Sequence, residues 1–353
     1  MLLKLFLYFL EYIALLVYLF RYTLARLCLK RILRGFFLPN FMKYTKKACT
    51  IDEHLKILID RGLTIDDTDR AKRYLGSVSY YRLSGYMFHL QDKGNASKFY
   101  EGTTFSDIIN LYTFDKKLRC IFLEYLERVE VCLRTRILNA YSELKGFYWS
   151  VHPGNFLDRK DLRDDGSEVL TYHSYVLESV ITDFEKPKEQ FLKAFKLKYT
   201  DETYPPENMY FETLSFGKLI KLYTCLKNDN TKNSIATAFK LPSGKTLVNW
   251  LLFLNDVRNV CAHHSRLWNR KFTANKLIFP SRRDHKIDGE IPEASNSNIY
   301  GAIIAINQLL LTFNPHNSFV DKLETLIESH AMDERNLGFP PNWKDQAPWR
   351  IKK

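Results

Sequence analysis

The sequence predicts an all-α protein, a bundle of long helices. Three observations carry that expectation. Apolar residues recur at steps of three and four through much of the chain, Ser, Thr and Asp stand ahead of those stretches at capping spacing, and only 14 Gly and 12 Pro interrupt 353 residues. Hydrophobic residues make up 46% and aromatics 14%, which excludes a disordered chain. No repeat of 20 to 50 residues is present.

The elements follow in order. Thr50 and Glu53 have capping-box spacing for a short helix that Gly62 can end. A second helix restarts near Asp67, and residues 79–90 form a dense aromatic stretch around Arg82. Residues 93–105 read as a loop or hairpin, with Ser106 as the expected cap of the longest helix. From Asp107 to about Leu144 that helix sets Leu111, Phe114, Leu118, Phe122, Tyr125, Val129 and Cys132 on one face. A turn-rich connection at 146–156 leads to a polar helix over 177–198, and "YPPEN" then breaks the chain. Further helices are expected over 209–228, after Ser243, over 298–313 and over 318–331, with a charged loop at 276–297. Trp343 and Trp349 suggest that the irregular C-terminal tail docks.

Three parts result: a hydrophobic and basic extension at 1–41, an N-terminal helical segment at 42–105, and the bundle with its docking tail at 106–353. In the extension, Leu5–Phe20 is apolar except for Glu11, and Arg21, Arg26, Lys30, Arg31 and Arg34 follow. A spanning helix needs about 20 apolar residues, so the run is short by roughly a turn. No small-residue cleavage site follows it. Met42 opens what reads as the beginning of a soluble protein, so a start assigned too early is the first explanation and a membrane anchor the second. An anchor would leave the basic cluster, and the body behind it, on the cytoplasmic side.

Net charge is +12, of which the first 41 residues hold +5 and the body +7. A basic body favours a polyanionic partner, nucleic acid before membrane, or else marks an unspecialised surface. Cys28, Cys49, Cys120, Cys132, Cys225 and Cys261 form no C-x-x-C pair, so reduced and mostly buried thiols in the cytoplasm are expected.

The chemistry concentrates in "RNVCAHHSRLWNR", 258–270. On the helix entering it, Trp250, Leu254, Val257 and Cys261 form a core face. Asp256, Asn259, His263, Arg266 and Arg270 form a polar stripe, provided the helix continues to Arg270. Zinc needs about four ligands, and Cys261, His263 and His264 are too crowded to supply more than two. A helix end whose His and Arg satisfy the last carbonyls is one alternative. The other is metal-free RNA cleavage, in which histidine moves the proton of the ribose 2′-OH or of the leaving oxygen and arginine steadies the phosphate. On the long helix, Glu127, Glu130 and Arg134 share a second face and could form a partly buried ion network.

"RGLTIDDTDRAKRYLGSVSYYRLSGY" (61–86), "FDKKLRCIFLEYLERVEVCLRTRI" (114–137), "RNVCAHHSRLWNR" and "NLGFPPNWKDQAPW" (336–349) together resemble the bacterial abortive-infection (Abi) family, the AbiD/AbiF-like phage-resistance proteins. The resemblance implies a HEPN-like helical bundle, in which an Arg and a polar residue precede a His by four to six positions. Arg258, Asn259 and His263 match, and His264 satisfies the looser spacing. It further implies a cytoplasmic, toxin-like, cofactor-free endoribonuclease, restrained by a partner RNA and acting as a homodimer that doubles one His and one Arg to two of each. On that reading Arg258 and His263 act, and Asn259 orients the histidine. Glu127, Glu130, Arg134, Asp256 and His264 support them, while Arg82, Arg266 and Arg270 contact RNA. The rival is a non-catalytic module that binds RNA or protein.

Overall fold

The computed structural model describes residue 45 and residues 47–95, 97–157, 172–280, 291–341 and 343–345. The chain divides into two units, 1–53 and 54–353. The first is described only at residues 45 and 47–53, where the expected capping box forms. The Thr50 N–H donates to Glu53 Oε2 at 2.6 Å and the Glu53 N–H to Thr50 Oγ1 at 3.2 Å. The apolar and basic run before it, with its anchor and start-site expectations, lies outside the described residues. Among the described residues no helix is long and apolar enough to cross a membrane.

Twelve α-helices are described, joined by 3-10 turns, and only isolated β-bridges occur among the described residues. They are α1 (Ile51–Asp60), α2 (Thr68–Val78), α3 (Tyr80–Met87), α4 (Phe105–Lys145), α5 (Tyr172–Glu185), α6 (Gln190–Lys198), α7 (Glu207–Tyr210), α8 (Phe216–Cys225), α9 (Asn230–Ala238), α10 (Gly244–Ala262), α11 (Ile299–Leu311) and α12 (Phe319–Ser329). The all-α expectation holds.

The axis is α4, 41 residues long, against which α3, α9, α10, α11 and α12 all pack. Its predicted apolar face is buried throughout except at Cys132, which is half-buried. The cap, however, is Thr104 rather than Ser106. Thr104 and Asp107 make a reciprocal capping box, and Ser106 instead donates to Asp66 while accepting from Arg70. The hydroxyl two residues further in thus ties α4 to the loop ahead of α2.

Elsewhere, local breakers divide what periodicity alone joins. The helix expected over 177–198 is two, α5 and α6, because Pro187 stands between them. The helix expected over 209–228 is α7, a 3-10 turn and α8, since Ser215 caps a new start by accepting the Lys218 N–H. Helix α9, capped by Asp229, is an element the periodicity did not reveal. The tail docks as expected at Trp343, which is buried beside Phe339 and donates its indole N–H to Glu334 at 2.7 Å. Trp349 lies outside the described residues. Five cysteines are described and free. Cys225 and Cys261 are buried and Cys132 half-buried, but Cys49 and Cys120 are exposed, so burial is less general than expected.

Candidate functional site

The segment 258–270 is not one helix. α10 ends at Ala262, with His263 as its C-cap, and His264 turns the chain out at φ +56°. The stripe through Asp256, Asn259 and His263 therefore stops there, and Arg266 and Arg270 belong to a separate turn. The end closes locally, the Ser265 N–H donating to the Val260 carbonyl at 3.0 Å and the His264 N–H to the Cys261 carbonyl at 3.1 Å, and a buried carboxylate on α4 holds the turn that follows. Asp115 Oδ1 accepts the backbone N–H groups of Leu267 (3.0 Å) and Trp268 (2.6 Å), capturing two donors that helix continuation would have used. Its Oδ2 accepts from the Tyr86 hydroxyl of α3 at 2.6 Å and from the Arg119 guanidinium one turn along α4. Burial raises the Asp115 pKa above the ordinary carboxylate value, against the pull of Arg119 and the other three donors. Asp115, Arg119 and Tyr86 were not expected as site residues. The signal was an acid and a base four apart, inserted beside Phe114 and Leu118 on an otherwise apolar face.

With the turn held this way, the three arginines expected to touch RNA line one cleft of about 470 Å³. Arg82 and Gly85 of α3 form one wall with Ser79 and Tyr81, and His264, Ser265, Arg266 and Arg270 form the other. Arg82 Nη1 donates to the His264 carbonyl at 2.6 Å, Arg266 Nη1 to the Gly85 carbonyl, and Arg270 Nη1 to the Arg266 carbonyl at 3.3 Å. Among the described residues no carboxylate pairs with any of the three. Tyr81 is 88% exposed at the rim, the kind of ring on which a base can stack. Ser79 (φ +74°) and His264 (φ +56°) hold non-glycine left-handed backbone on opposite walls, a cost of about 1 kcal/mol each.

The expected catalytic residues sit beside this cleft rather than in its lining. His263 is exposed, and its N–H is satisfied by the carbonyls of Asn259 and Cys261. Arg258 and Asn259 are half-buried one turn earlier, with Arg258 Nη1 donating to Asn259 Oδ1 at 3.5 Å. Asn259 thus touches Arg258, and its carbonyl rather than its side chain meets His263. His264, the alternative imidazole, lines the cleft. Asp256 is engaged elsewhere, accepting from the Asn275 amide at 2.8 Å.

The acidic face of α4 reaches this region in part. Arg134 pairs with Glu130 at 3.1 Å and also donates to the Leu214 carbonyl at 3.0 Å, with side chains only 12% and 17% exposed. Burial raises the Glu130 pKa, Arg134 and Arg258 lower it, and Glu127 pushes it up. Glu130 is therefore a carboxylate within electrostatic reach of Arg258. Glu127 is exposed, and Arg134 turns toward α8. Cys261 is 1% exposed, and burial pushes its thiol up to about 12, so it stays a neutral core residue. Among the described residues no three His, Cys, Asp or Glu side chains are grouped to hold a metal ion.

The family model described as Abi-like protein matches residues 73–269. That span holds the long-helix block at 114–137 and all but the last residue of 258–270. It takes in half of the block at 61–86 and stops short of the tail at 336–349. No curated protein and no solved structure matches the chain.

Proposed function

The chain belongs to the Abi-like protein family, and from that premise we propose that it is a HEPN-type endoribonuclease that cuts RNA without a metal. Membership of the family points to abortive infection, hence phage defence. The finer reading rests on one observation: Arg82, Arg266, Arg270 and His264 converge in one cleft, where no described carboxylate pairs with the arginines, beside the exposed helix end that carries His263. Arginine can hold a phosphodiester in its fork, and histidine can move a proton near neutral pH. In this reading Arg258 offsets the charge growing on the phosphate, held by Asn259 and Glu130, and His263 serves as acid or base. One chain supplies one such pair, so a homodimer would complete the acid and base set. The enzyme would act in the cytoplasm under the restraint of a partner RNA.

The test compares RNA cleavage by the parent, Arg258→Ala, His263→Ala and His264→Ala in the presence of EDTA. The expected result is loss of at least about 10²-fold for Arg258→Ala and His263→Ala, with weaker RNA binding for His264→Ala. Cleavage that survives both substitutions, or that EDTA abolishes in the parent, would sink the mechanism. A second reading is favoured by a specific observation: the arginine cleft is complete within one chain, while Arg258 and His263 lie outside its lining. On that reading the protein protects by binding RNA and cuts nothing, and His263→Ala would still protect cells.

A further inference from the structure

The arginine cleft shares one wall residue with a second, smaller hollow. Past Arg270 the surface dips into a cleft of about 130 Å³, where Asn269, Arg270, Lys271, Asn298, Arg335 and Asn336 come together. Its volume suits one tetrahedral anion rather than a whole nucleotide. Its chemistry is one-sided. Three cations line it, and the Asp333 carboxylate accepts from Arg335 Nε (2.9 Å) and Nη2 (2.8 Å), leaving the remaining Nη1 of the fork. Three asparagines, whose amides can donate N–H, lie beside them, with the Asn269 amide also facing His89 Nε2 at 3.4 Å, and Ile299, Leu337 and Gly338 close the lining.

The shape is held by backbone that few residues could replace. Gly338 bounds the hollow at φ +86°, and a Cβ there would strike the Asn298 side-chain amide, so any other residue would push that amide away. Asn298 is itself fixed as the cap of α11 by accepting the Gly301 N–H at 3.0 Å. Asn269 takes φ +50°, which turns Arg270 and Lys271 toward the tail carrying Arg335. Residues far apart in sequence are thus brought to one anion-sized hollow that shares Arg270 with the larger cleft.

We propose that this hollow binds a phosphodiester of the same RNA strand, one or a few nucleotides along from the arginine cleft. The proposal rests on the RNA-directed reading of that cleft. The sharing of Arg270 favours a strand over a free anion, because one guanidinium bordering two hollows can bridge successive phosphates. Lys271 and Arg335 are the residues assigned here, and neither belongs to the cleavage machinery.

The experiment measures binding of non-cleavable 2′-O-methyl single strands, about 3 and about 12 nucleotides long, to the full chain and to a Lys271→Gln/Arg335→Gln double variant across a salt series. The expected result is about tenfold weaker binding of the long strand by the double variant. Its log–log salt slope should fall by about 0.7, the value for one phosphate contact on a single strand. The short strand should bind both proteins alike. An unchanged long-strand affinity, or an equal loss for both lengths, would overturn the assignment. So would inorganic phosphate that removes the length advantage at constant ionic strength, which would mark a free-anion site. Cleavage is scored separately. The length and slope signature without any cleavage leaves this inference standing and removes the nuclease reading. Cleavage with no difference between the two proteins does the reverse, and a parent that binds neither strand removes both.

Discussion

Helix α4 carries three acid–base pairs of identical spacing, and beside the exposed Glu124–Arg128 the other two lie in contrasting settings. Asp115–Arg119 is almost wholly buried, with side chains 0% and 6% exposed, and the carboxylate is saturated by four donors from three segments. Glu130–Arg134, four turns along, is 17% and 12% exposed, and its arginine also serves the Leu214 carbonyl. The first pair shapes backbone: it fixes the turn after α10 that puts Arg266 and Arg270 opposite Arg82. The second places charge: Glu130 lies within electrostatic reach of Arg258 as well as of Arg134. Spacing on a helix says that two groups can meet. Burial and the remaining partners decide whether the meeting holds a chain in place or tunes a neighbour.

The largest effect should follow from breaking the buried pair. Asp115→Ala leaves the Arg119 guanidinium buried without its counter-charge and two backbone donors unmet, a loss of about 3–5 kcal/mol of unfolding free energy. Urea titration measures it. Asp115→Asn keeps the shape and an acceptor, so it should fold and report on the turn: stability intermediate, RNA affinity reduced as the arginine cleft loosens. A loss below about 1 kcal/mol for Asp115→Ala would mean that the turn is held by packing of Trp268, and the contrast between the two pairs would collapse.

A third buried charge sharpens the contrast because, among the described residues, no carboxylate is in ion-pair contact with it, Asp229 acting only from further off. Lys232 is 2% exposed and donates to the carbonyls of Leu226 (2.8 Å) and Thr224 (3.1 Å), closing the end of α8. Burial lowers its pKa to about 8 from 10.5. The unfolded chain then binds more protons than the fold between those values, so the lysine's contribution to stability rises as pH climbs from about 8 toward 10.5. Lys232→Met leaves both carbonyls without their donor, a cost of about 1–3 kcal/mol near neutral pH. The gap between parent and variant should widen in alkali. A gap that narrows would show that the charged form is the one the fold prefers.

How much of this was legible follows from the same residues. The core face of α4 could be read because period and burial agree there. The end of α10 could not, since the periodicity of Asp256, Asn259, His263, Arg266 and Arg270 continues past the point where the backbone stops. What holds the turn beyond it is Asp115, more than 140 residues away in sequence, and local pattern carries no record of a distant acceptor. Arg82, Arg266 and Arg270 were found as charge near aromatics, yet their shared cleft depends on that same carboxylate. Asp115 left its own trace as an acid beside Phe114 and Leu118, where a charge costs heavily unless it has partners. Ser106 failed as a cap for a smaller reason. Thr104 offered the same oxygen two residues earlier, with Asp107 at the reciprocal position.

The smallest stability effect, and the most discriminating functional one, belongs to Glu130→Gln. Glutamine keeps an acceptor for Arg134, so unfolding free energy should change by no more than about 1 kcal/mol. The direction depends on pH. Burial raises the folded pKa of Glu130, so its contribution is fully present below the unfolded carboxylate value and is lost as pH rises through the folded one. Relative to the glutamine variant, the parent should therefore be favoured more at pH 4 than at pH 7, which paired denaturation curves will measure. If Glu130 also holds Arg258 for work on phosphate, removing its charge should slow RNA cleavage on the order of tenfold while stability barely moves. Unchanged cleavage would reduce Glu130–Arg134 to a lesser copy of the buried pair. A drop in cleavage without a drop in stability would separate them, one pair building the turn and the other setting the charge beside it.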